Sequence, residues 1–545
     1  MNIRDSTFEV MRRLGLTRIF GNPGSTEVAF LTDLPSDLEF VLGLHEGSVV
    51  GMATGYAIGR GAPAFVNLHT APGLGNAVNA IANARDCRAP LVIVVGQQDR
   101  RQLASSPFLA GRALERLAGE YPVWTSLPVR PQDLPGAIAR AYHEALTGRG
   151  PALVVAPMGD WEQEADPLAI GAPANVVRPR AVDGDQLDAL VELVAGAERP
   201  VLVVGAGAAS DAGWESVTAL AETLASPVWQ ETFGSRPGFP QTHPLFAGHL
   251  PWMRARMHER LATHDLVIAI GTHALRTYVF DEAVALLEPG TRVAVISDDP
   301  EEVHRSGCDI GVLAPVAATC AALAGRLPAR DRPQGEPLHE APAPPDPPGP
   351  GEKLRPAHVL SALAERLPED VVLVEETPSS RPQLLERIAA RTPLGFVANA
   401  NGGLGFGLTG AIGLRMALPD RPVVAVVGDG SAMYAIQSLW SAARYDAGVL
   451  LVVMNNGAYA IMDAQAHERG GVPAWPGFPG IDFAVIARAL GCPAVRVGDL
   501  DTLTATLDDV LPALAARQEP ILVEVELQAC GASQAASARV ATPEK

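Results

Sequence analysis

The sequence predicts an α/β protein made of three doubly wound parallel-sheet domains, and three observations carry that prediction. Short apolar runs rich in Val, Ile and Leu recur along the chain and alternate with stretches of helical length, the composition of strands buried on both faces with helices packed over them. A segment too rich in Pro to pack, DRPQGEPLHEAPAPPDPPGPGEKLRP, separates the second block of such runs from the third. The chain has 545 residues, too many for one hydrophobic core.

The first block reaches residue 167. Its N-terminal stretch, MNIRDSTFEVMRRLG, has no apolar signal core and reads as an amphipathic helix. Strands are predicted at PAFVNL, PLVIVVG and PALVVAP. The second block, 181–327, carries PVLVVGAG, HDLVIAIG and RVAVIS. VVGAGAA, from Val203 to Ala209, is a Gly-rich strand-to-helix turn. It lacks the G-x-G-x-x-G spacing of a dinucleotide site, so close packing of a turn is the better reading. The Pro-rich linker, 328–356, is expected to be extended and exposed. The third block, 357–527, holds VVLVEE, VVAVVGDGSA, GVLLVVMNN and PILVEVEL. The tail, 528–545, is expected to be mobile.

Composition excludes several functions. A net charge of −19 disfavours nucleic acid and anionic membrane surfaces as partners. No apolar run has membrane-spanning length. The 5 cysteines are scattered, and no CxxC pair suggests zinc or redox chemistry. This usage suits a reducing cytoplasm.

One stretch carries chemistry. In VVAVVGDGSA a buried strand stops at Gly428, and Asp429 stands between two glycines. A helix is predicted to follow, from about Ser431 to Tyr445. The next strand ends at Asn455 and Asn456. In a parallel strand–helix–strand unit both strand ends lie on one edge of the sheet, which makes Asp429 and Asn456 neighbours. A carboxylate and an amide oxygen suit a hard cation such as Mg²⁺, which keeps positions open for phosphates. The glycines let backbone N–H groups approach those phosphates.

Gly428-Asp429-Gly430 followed at this spacing by Asn455-Asn456 resembles the binding motif of the thiamine diphosphate-dependent enzyme family. GNPGSTEVAFL, NLHTAPGLGNA, VVGQQDR, NGGLGFGL, VVGDGSAMYAIQSLWSAARY and VMNNGAYA extend the resemblance to nearly the whole chain. It is nearest to the benzoylformate decarboxylase branch. The resemblance implies thiamine diphosphate and Mg²⁺ as cofactors, and a pyrimidine-binding, a middle and a diphosphate-binding domain in that order. It implies Asp429, Asn456 and the Ala458 carbonyl as metal ligands. Gly428, Gly430, Ser431 and Ser379 would hold the diphosphate. Tyr459 would lie over the coenzyme, Gly402 would offer it a carbonyl, and Leu404 would prop its two rings into a bent shape.

Glu46 follows an apolar run and opens a small-residue helix. The resemblance makes it the carboxyl that activates the coenzyme, a task suited to a fairly dry pocket. In the family this glutamate serves coenzyme held by another subunit. A homodimer is therefore the minimum, and a tetramer is common. Ser25 follows a Pro-Gly turn and could start a helix whose N–H groups attract an anion; the resemblance makes it the holder of the substrate carboxylate. His69 ends a strand, where ligand sites on such sheets lie, and matches a histidine used for proton transfer.

The chain also departs from the branch. Tyr278 stands where a second histidine, in the middle domain, is expected, and His273 lies five residues earlier. Pro378 replaces a threonine that contacts diphosphate, which removes a hydroxyl. Ile461 and Gln465 would reshape the substrate pocket. The implied activity is non-oxidative decarboxylation of a benzoylformate-like 2-oxo acid to an aldehyde and CO₂. The nearest alternative is an acetolactate synthase-like carboligase that forms a 2-hydroxyketone, followed by a non-catalytic coenzyme-binding scaffold.

Overall fold

The structure, a computed structural model, describes residues 1–166, 176–278, 280–331 and 337–528. Among them the strands form three six-stranded sheets, and every strand pairing is parallel. The expected fold class is the observed one. Central strands such as Leu91–Gln97 and Pro151–Pro157 are buried along their whole length, which is why their sequences are continuous apolar runs rather than alternating ones.

The first sheet has the order Glu39–Leu42, Arg18–Asn22, Ala64–Leu68, Leu91–Gln97, Pro151–Pro157, Trp124–Ser126. The third repeats that order with Phe396–Ala398, Val372–Glu376, Val423–Gly428, Leu450–Asn455, Ile521–Glu526 and Ala494–Val497. The middle sheet differs: Ile310–Leu313, Arg292–Ser297, Leu266–Ile270, Pro200–Val204, Val228–Gln230, Phe246–His249. In such sheets ligands bind outside the carboxyl ends of the strands where the winding reverses. Those points are Asn22 beside Leu68 in the first sheet, Val204 beside Ile270 in the second, and Glu376 beside Val427 in the third.

The Gly-rich turn after Pro200–Val204 is close packing. A Cβ on Gly207 would sit 2.5 Å from the Gly271 Cα, and the Gly207 N–H donates to the Gly271 carbonyl at 2.8 Å. The described residues of the linker, 328–331 and 337–356, are largely exposed and without helix or strand up to 353; at its end Leu354 is buried and Pro356 already starts a helix. The expected mobile tail lies, from residue 529 on, outside the described residues.

Two helices bind the first unit to the third. Glu46–Arg60 presents Gly51, Gly55 and Gly59 at four-residue spacing, one face of a helix. That face lies against Phe406–Ala417. A Cβ on Gly51 would be 2.1 Å from the Thr409 hydroxyl, and one on Gly55 2.1 Å from the Gly410 carbonyl. Gly413 answers from the other side, 1.9 Å from the Met52 carbonyl. The two backbones approach this closely only because side chains are missing. Gly55→Ala is therefore expected to cost about 1–3 kcal/mol by overpacking, read as a lower urea midpoint with unchanged slope.

One local expectation fails. The helix predicted over 431–445 is two short ones, Asp429–Ala432 and Ser438–Arg444. Tyr434 and Ala435 between them, and Ser438, Leu439 and Trp440 at the start of the second, donate to carbonyls three residues back, the spacing of 3₁₀ winding. The Ser438 hydroxyl also donates to the Ala435 carbonyl at 2.7 Å, a local bond that competes with regular helix.

Candidate functional site

The carboxyl edge of the third sheet gathers three loops. Asp429 opens the helix after Val423–Gly428 and is 3% exposed. Its Oδ1 accepts from the Gly430 N–H at 2.7 Å, and its Oδ2 accepts from Asn456 at 3.0 Å and Gly457 at 2.6 Å. The predicted neighbours are thus bonded neighbours. The Asn456 Oδ1 accepts from the Ala458 N–H at 3.0 Å, which turns 456–458 back toward Asp429. Burial pushes the Asp429 carboxyl above its ordinary range, against the pull of these N–H groups.

Ser379 comes to the same loops, its Oγ accepting from the Ile461 N–H at 3.0 Å. The Tyr459 ring lies on the turn, because a Cβ on Gly430 would be 2.6 Å from it, and packs on Phe478 at 5.0 Å. A Cβ on Gly428 would make only ordinary contacts, with the Ser431 hydroxyl at 3.7 Å and the Glu376 carbonyl at 3.9 Å. Buried carboxylate, amide oxygen, open turn and helix start form a donor set that fits a hard cation carrying a diphosphate. Ile461 and Gln465 lie on the adjoining helix Ala460–Glu468.

Across the switch point, loop 399–405 carries Gly402 and Leu404. Gly402 has φ +86°, and a Cβ there would meet nothing within 4 Å. Asn399 Oδ1 accepts from the Asn401 and Gly402 N–H groups at 2.9 Å. The Leu404 carbonyl accepts from Asn79 at 3.2 Å. A residue not singled out in the sequence, Glu376, ties this loop down. Its oxygens accept from the N–H groups of Gly405, Phe406 and Gly407 at 3.0, 3.2 and 3.0 Å. Burial pushes its carboxyl up to about 7, although those bonds pull it down. The available signal was the second acid of VVLVEE at the end of a buried strand.

The first sheet's switch point brings together Asn22, the 23–27 turn, Glu46 and His69. Glu46 starts the helix Glu46–Arg60, capped by the His45 ring, and is 9% exposed. Its carboxylate accepts from Asn22 Nδ2 at 3.3 Å and Asn76 Nδ2 at 3.0 Å. Ser25 is exposed and lies in a turn. It does not start a helix: the following one is only Val28–Leu31 and begins after Glu27. His69 precedes Thr70–Asp86. Its Nδ1 lies 3.0 Å from Glu27 Oε2 and 2.9 Å from Thr26 Oγ1. Thr26 and Glu27 were quoted in the sequence but given no part. The next residue, Thr70, has φ +26° and a buried hydroxyl without a partner, the kind of strain that gathers at functional sites.

The middle unit keeps its two candidates apart. His273 lines a polar pocket at the second sheet's switch point, with Arg85, Arg88, Glu231, Asp299 and Glu302, and burial lowers its pKa. Tyr278 is 67% exposed and packs edge-on against Trp252 at 5.8 Å. Among the described residues, no hydrogen bond or ion pair joins either one to Ser25, Glu46 or His69. Arg85 bridges this pocket's walls, holding Asp299 and Glu301 at 3.0 Å. The Ala398 N–H donates to the Ser235 carbonyl at 2.9 Å, so the middle unit also touches the strand before loop 399–405.

Comparison with known proteins agrees along the chain. The N-terminal TPP binding domain of thiamine pyrophosphate enzymes matches residues 1–115, the central domain 187–323 and the C-terminal TPP binding domain 383–525. The chain is 36% identical to a benzoylformate decarboxylase of Pseudomonas aeruginosa over 538 residues, 96% of this chain and 99% of that one. It is 26% identical to an acetolactate synthase large subunit of Parasynechococcus marenigrum, over 95% of this chain and 86% of the other. A solved thiamine diphosphate-dependent 4-hydroxybenzoylformate decarboxylase from Rhodococcus jostii superposes with a TM-score of 0.91 and 35% identity, covering 97% of this chain and 100% of that one.

Proposed function

The chain belongs to the thiamine pyrophosphate enzyme family, and from that premise we propose that it is a thiamine diphosphate-dependent decarboxylase of an aryl 2-oxo acid of benzoylformate type. The reaction is R–CO–COO⁻ + H⁺ → R–CHO + CO₂. The observation that carries the reading is the bonded juxtaposition of Asp429 with the Asn456–Ala458 turn at a sheet switch point. Whole-length similarity to decarboxylases of arylglyoxylates supports the substrate class.

Asp429, the Asn456 amide oxygen and the Ala458 carbonyl hold Mg²⁺. Backbone N–H groups at Gly428, Gly430 and Ser431, with the Ser379 hydroxyl, hold the diphosphate. Pro378 adds no donor. Gly402 and Leu404 face the coenzyme from the loop that Glu376 anchors, and Tyr459 covers it. Bound thiamine diphosphate supplies an electron sink for the pair released with CO₂. Glu46 would hold a proton toward the pyrimidine of coenzyme bound by a second copy of the chain; a homodimer is the minimum and a tetramer the expected assembly. The Ser25 hydroxyl donates to the substrate carboxylate. His69 delivers the proton that completes the aldehyde, and Tyr278 or His273 faces the substrate's other side. A cytoplasmic setting agrees with Cys87, Cys308, Cys320 and Cys492 being free thiols. No helix among the described residues is long and apolar enough to cross a membrane.

The exposed Tyr278 favours one second reading. It stands where the branch has a histidine and supplies no imidazole, and slow protonation leaves time for attack on a second carbonyl compound. Protein loaded with thiamine diphosphate and Mg²⁺ is given benzoylformate or pyruvate, with and without added acetaldehyde. The expected result is a higher kcat/KM for benzoylformate, with aldehyde as the main product. A 2-hydroxyketone as the main product, or a preference for pyruvate, would favour the carboligase.

A further inference from the structure

We propose that Glu27 is a positioning residue that fixes the tautomer and orientation of His69; this rests on the reading of His69 as the proton-delivering group. Glu27 is 1% exposed and sits one turn beyond Pro23-Gly24. Its Oε1 accepts from the Thr26 hydroxyl at 2.5 Å. Its Oε2 accepts from the Gly24 N–H at 2.8 Å and lies 3.0 Å from His69 Nδ1. Among the described residues, His69 is the one basic side chain within ion-pair distance of it. A buried carboxylate with no Arg or Lys beside it is costly, so a merely structural acid would be an odd choice here.

The surroundings are shaped for the pair. A Cβ on Gly96 would stand 2.0 Å from Glu27 Oε1, and one on Gly24 would stand 2.4 Å from His69 Cγ. Two glycines, one in the strand Leu91–Gln97 and one in the 23–27 turn, thus leave the space that the carboxylate and the ring occupy. On the other side of His69 the chain turns through the strained Thr70. The imidazole is held from its backbone and from Nδ1 together.

The chemical consequence follows from the two ring nitrogens being distinct. With Nδ1–H donated to Glu27, Nε2 is the nitrogen left to take a proton from water and hand it to the product carbon. Burial pushes the Glu27 carboxyl above its ordinary range, against the pull of Thr26, Gly24 and His69, and in its ionised form it stabilises the imidazolium that forms. Glutamine in its place would keep its amide oxygen toward the Gly24 N–H and Nδ1 and turn its NH₂ to the Thr26 hydroxyl, so the imidazolium would lose its counter-charge.

The test uses Glu27→Gln, Glu27→Asp, His69→Ala and the double variant Glu27→Gln/His69→Ala, each loaded with thiamine diphosphate and Mg²⁺. Glu27→Gln is expected to lower kcat with benzoylformate by about 10²–10³-fold, the range for general acid–base groups, with KM within a few-fold. The alkaline limb of its kcat profile, where His69 must carry the proton it delivers, should move to lower pH, because a negative charge has left the imidazolium. Coenzyme affinity, read by tryptophan fluorescence, should not change. Glu27→Asp should recover part of the loss. In the His69→Ala background Glu27→Gln should add less than about threefold, since a residue acting through another has nothing left to act on. A full-rate Glu27→Gln with an unmoved pH profile, or an equal cost in both backgrounds, would overturn the proposal. If the wild type decarboxylates no 2-oxo acid, the functional reading fails by itself. The contact is then read from the ¹⁵N shifts of the neutral His69 ring in the wild type, expected as Nδ1-protonated; an Nε2-protonated ring would overturn it independently.

Discussion

Glu46→Ala is expected to lower turnover by about 10²–10⁴-fold, the contribution of a positioned acid–base group, while leaving thiamine diphosphate and Mg²⁺ affinity within a few-fold of the wild type. The separation has a structural basis. Glu46 stands at the first sheet's switch point, held by Asn22 and Asn76. The groups that fit the metal and diphosphate are on the third sheet's loops. Removing the carboxyl leaves the glycine face of Glu46–Arg60 untouched, so the helix keeps its packing against Phe406–Ala417. The helix loses a first-turn acid, worth only about 0.3–1 kcal/mol. Steady-state kinetics with a parallel binding titration separates the two effects. Near-normal turnover, or loss of binding equal to the loss of turnover, would remove Glu46 from its role.

The second large effect is on binding. Asp429→Ala deprives the N–H groups of Gly430, Asn456 and Gly457 of their acceptor. Each buried donor left without a partner costs about 1–3 kcal/mol, so the 456–458 turn should open as well as lose its charge. Asp429→Asn separates these contributions, since it keeps an acceptor oxygen and drops the charge. Both variants should bind thiamine diphosphate at least about 100-fold more weakly in Mg²⁺, a difference of about 2.8 kcal/mol. For Asp429→Asn the thermal midpoint without coenzyme should fall less than for Asp429→Ala, because the amide oxygen still accepts from Asn456 and Gly457 and only Gly430 loses its acceptor. Unchanged Mg²⁺-dependent binding in Asp429→Asn would contradict the metal assignment.

The parts that were legible share a cause. Strands buried on both faces declare themselves as continuous apolar runs, so PLVIVVG and VVAVVG could be placed from composition alone. In a parallel sheet the loops of consecutive strands emerge on one edge, so Asp429 and Asn456 could be set side by side. What could not be read depends on contacts between loops of distant sequence. The Glu376 carboxylate reaches three N–H groups about thirty residues further on, and the Glu27–His69 contact crosses 42 residues. No spacing rule links either pair. Ser25 looked like a helix start because Pro-Gly precedes it, yet the turn runs on to Glu27 before a four-residue helix begins. The 431–445 segment has helical composition, and its 3₁₀ centre arises from bonds such as that of Ser438 to the Ala435 carbonyl. The glycines of GMATGYAIG read as a small-residue helix, but only the partner helix explains their four-residue spacing.

The central claim is that these loops hold thiamine diphosphate for decarboxylation of an aryl 2-oxo acid. The purified chain, incubated with thiamine diphosphate, Mg²⁺ and benzoylformate, is followed by chromatography for benzaldehyde and by gas analysis for CO₂. Equal amounts of both products, formed only when coenzyme and metal are present, are the expected result. Absence of CO₂ from protein shown by titration to be loaded with coenzyme would contradict the claim.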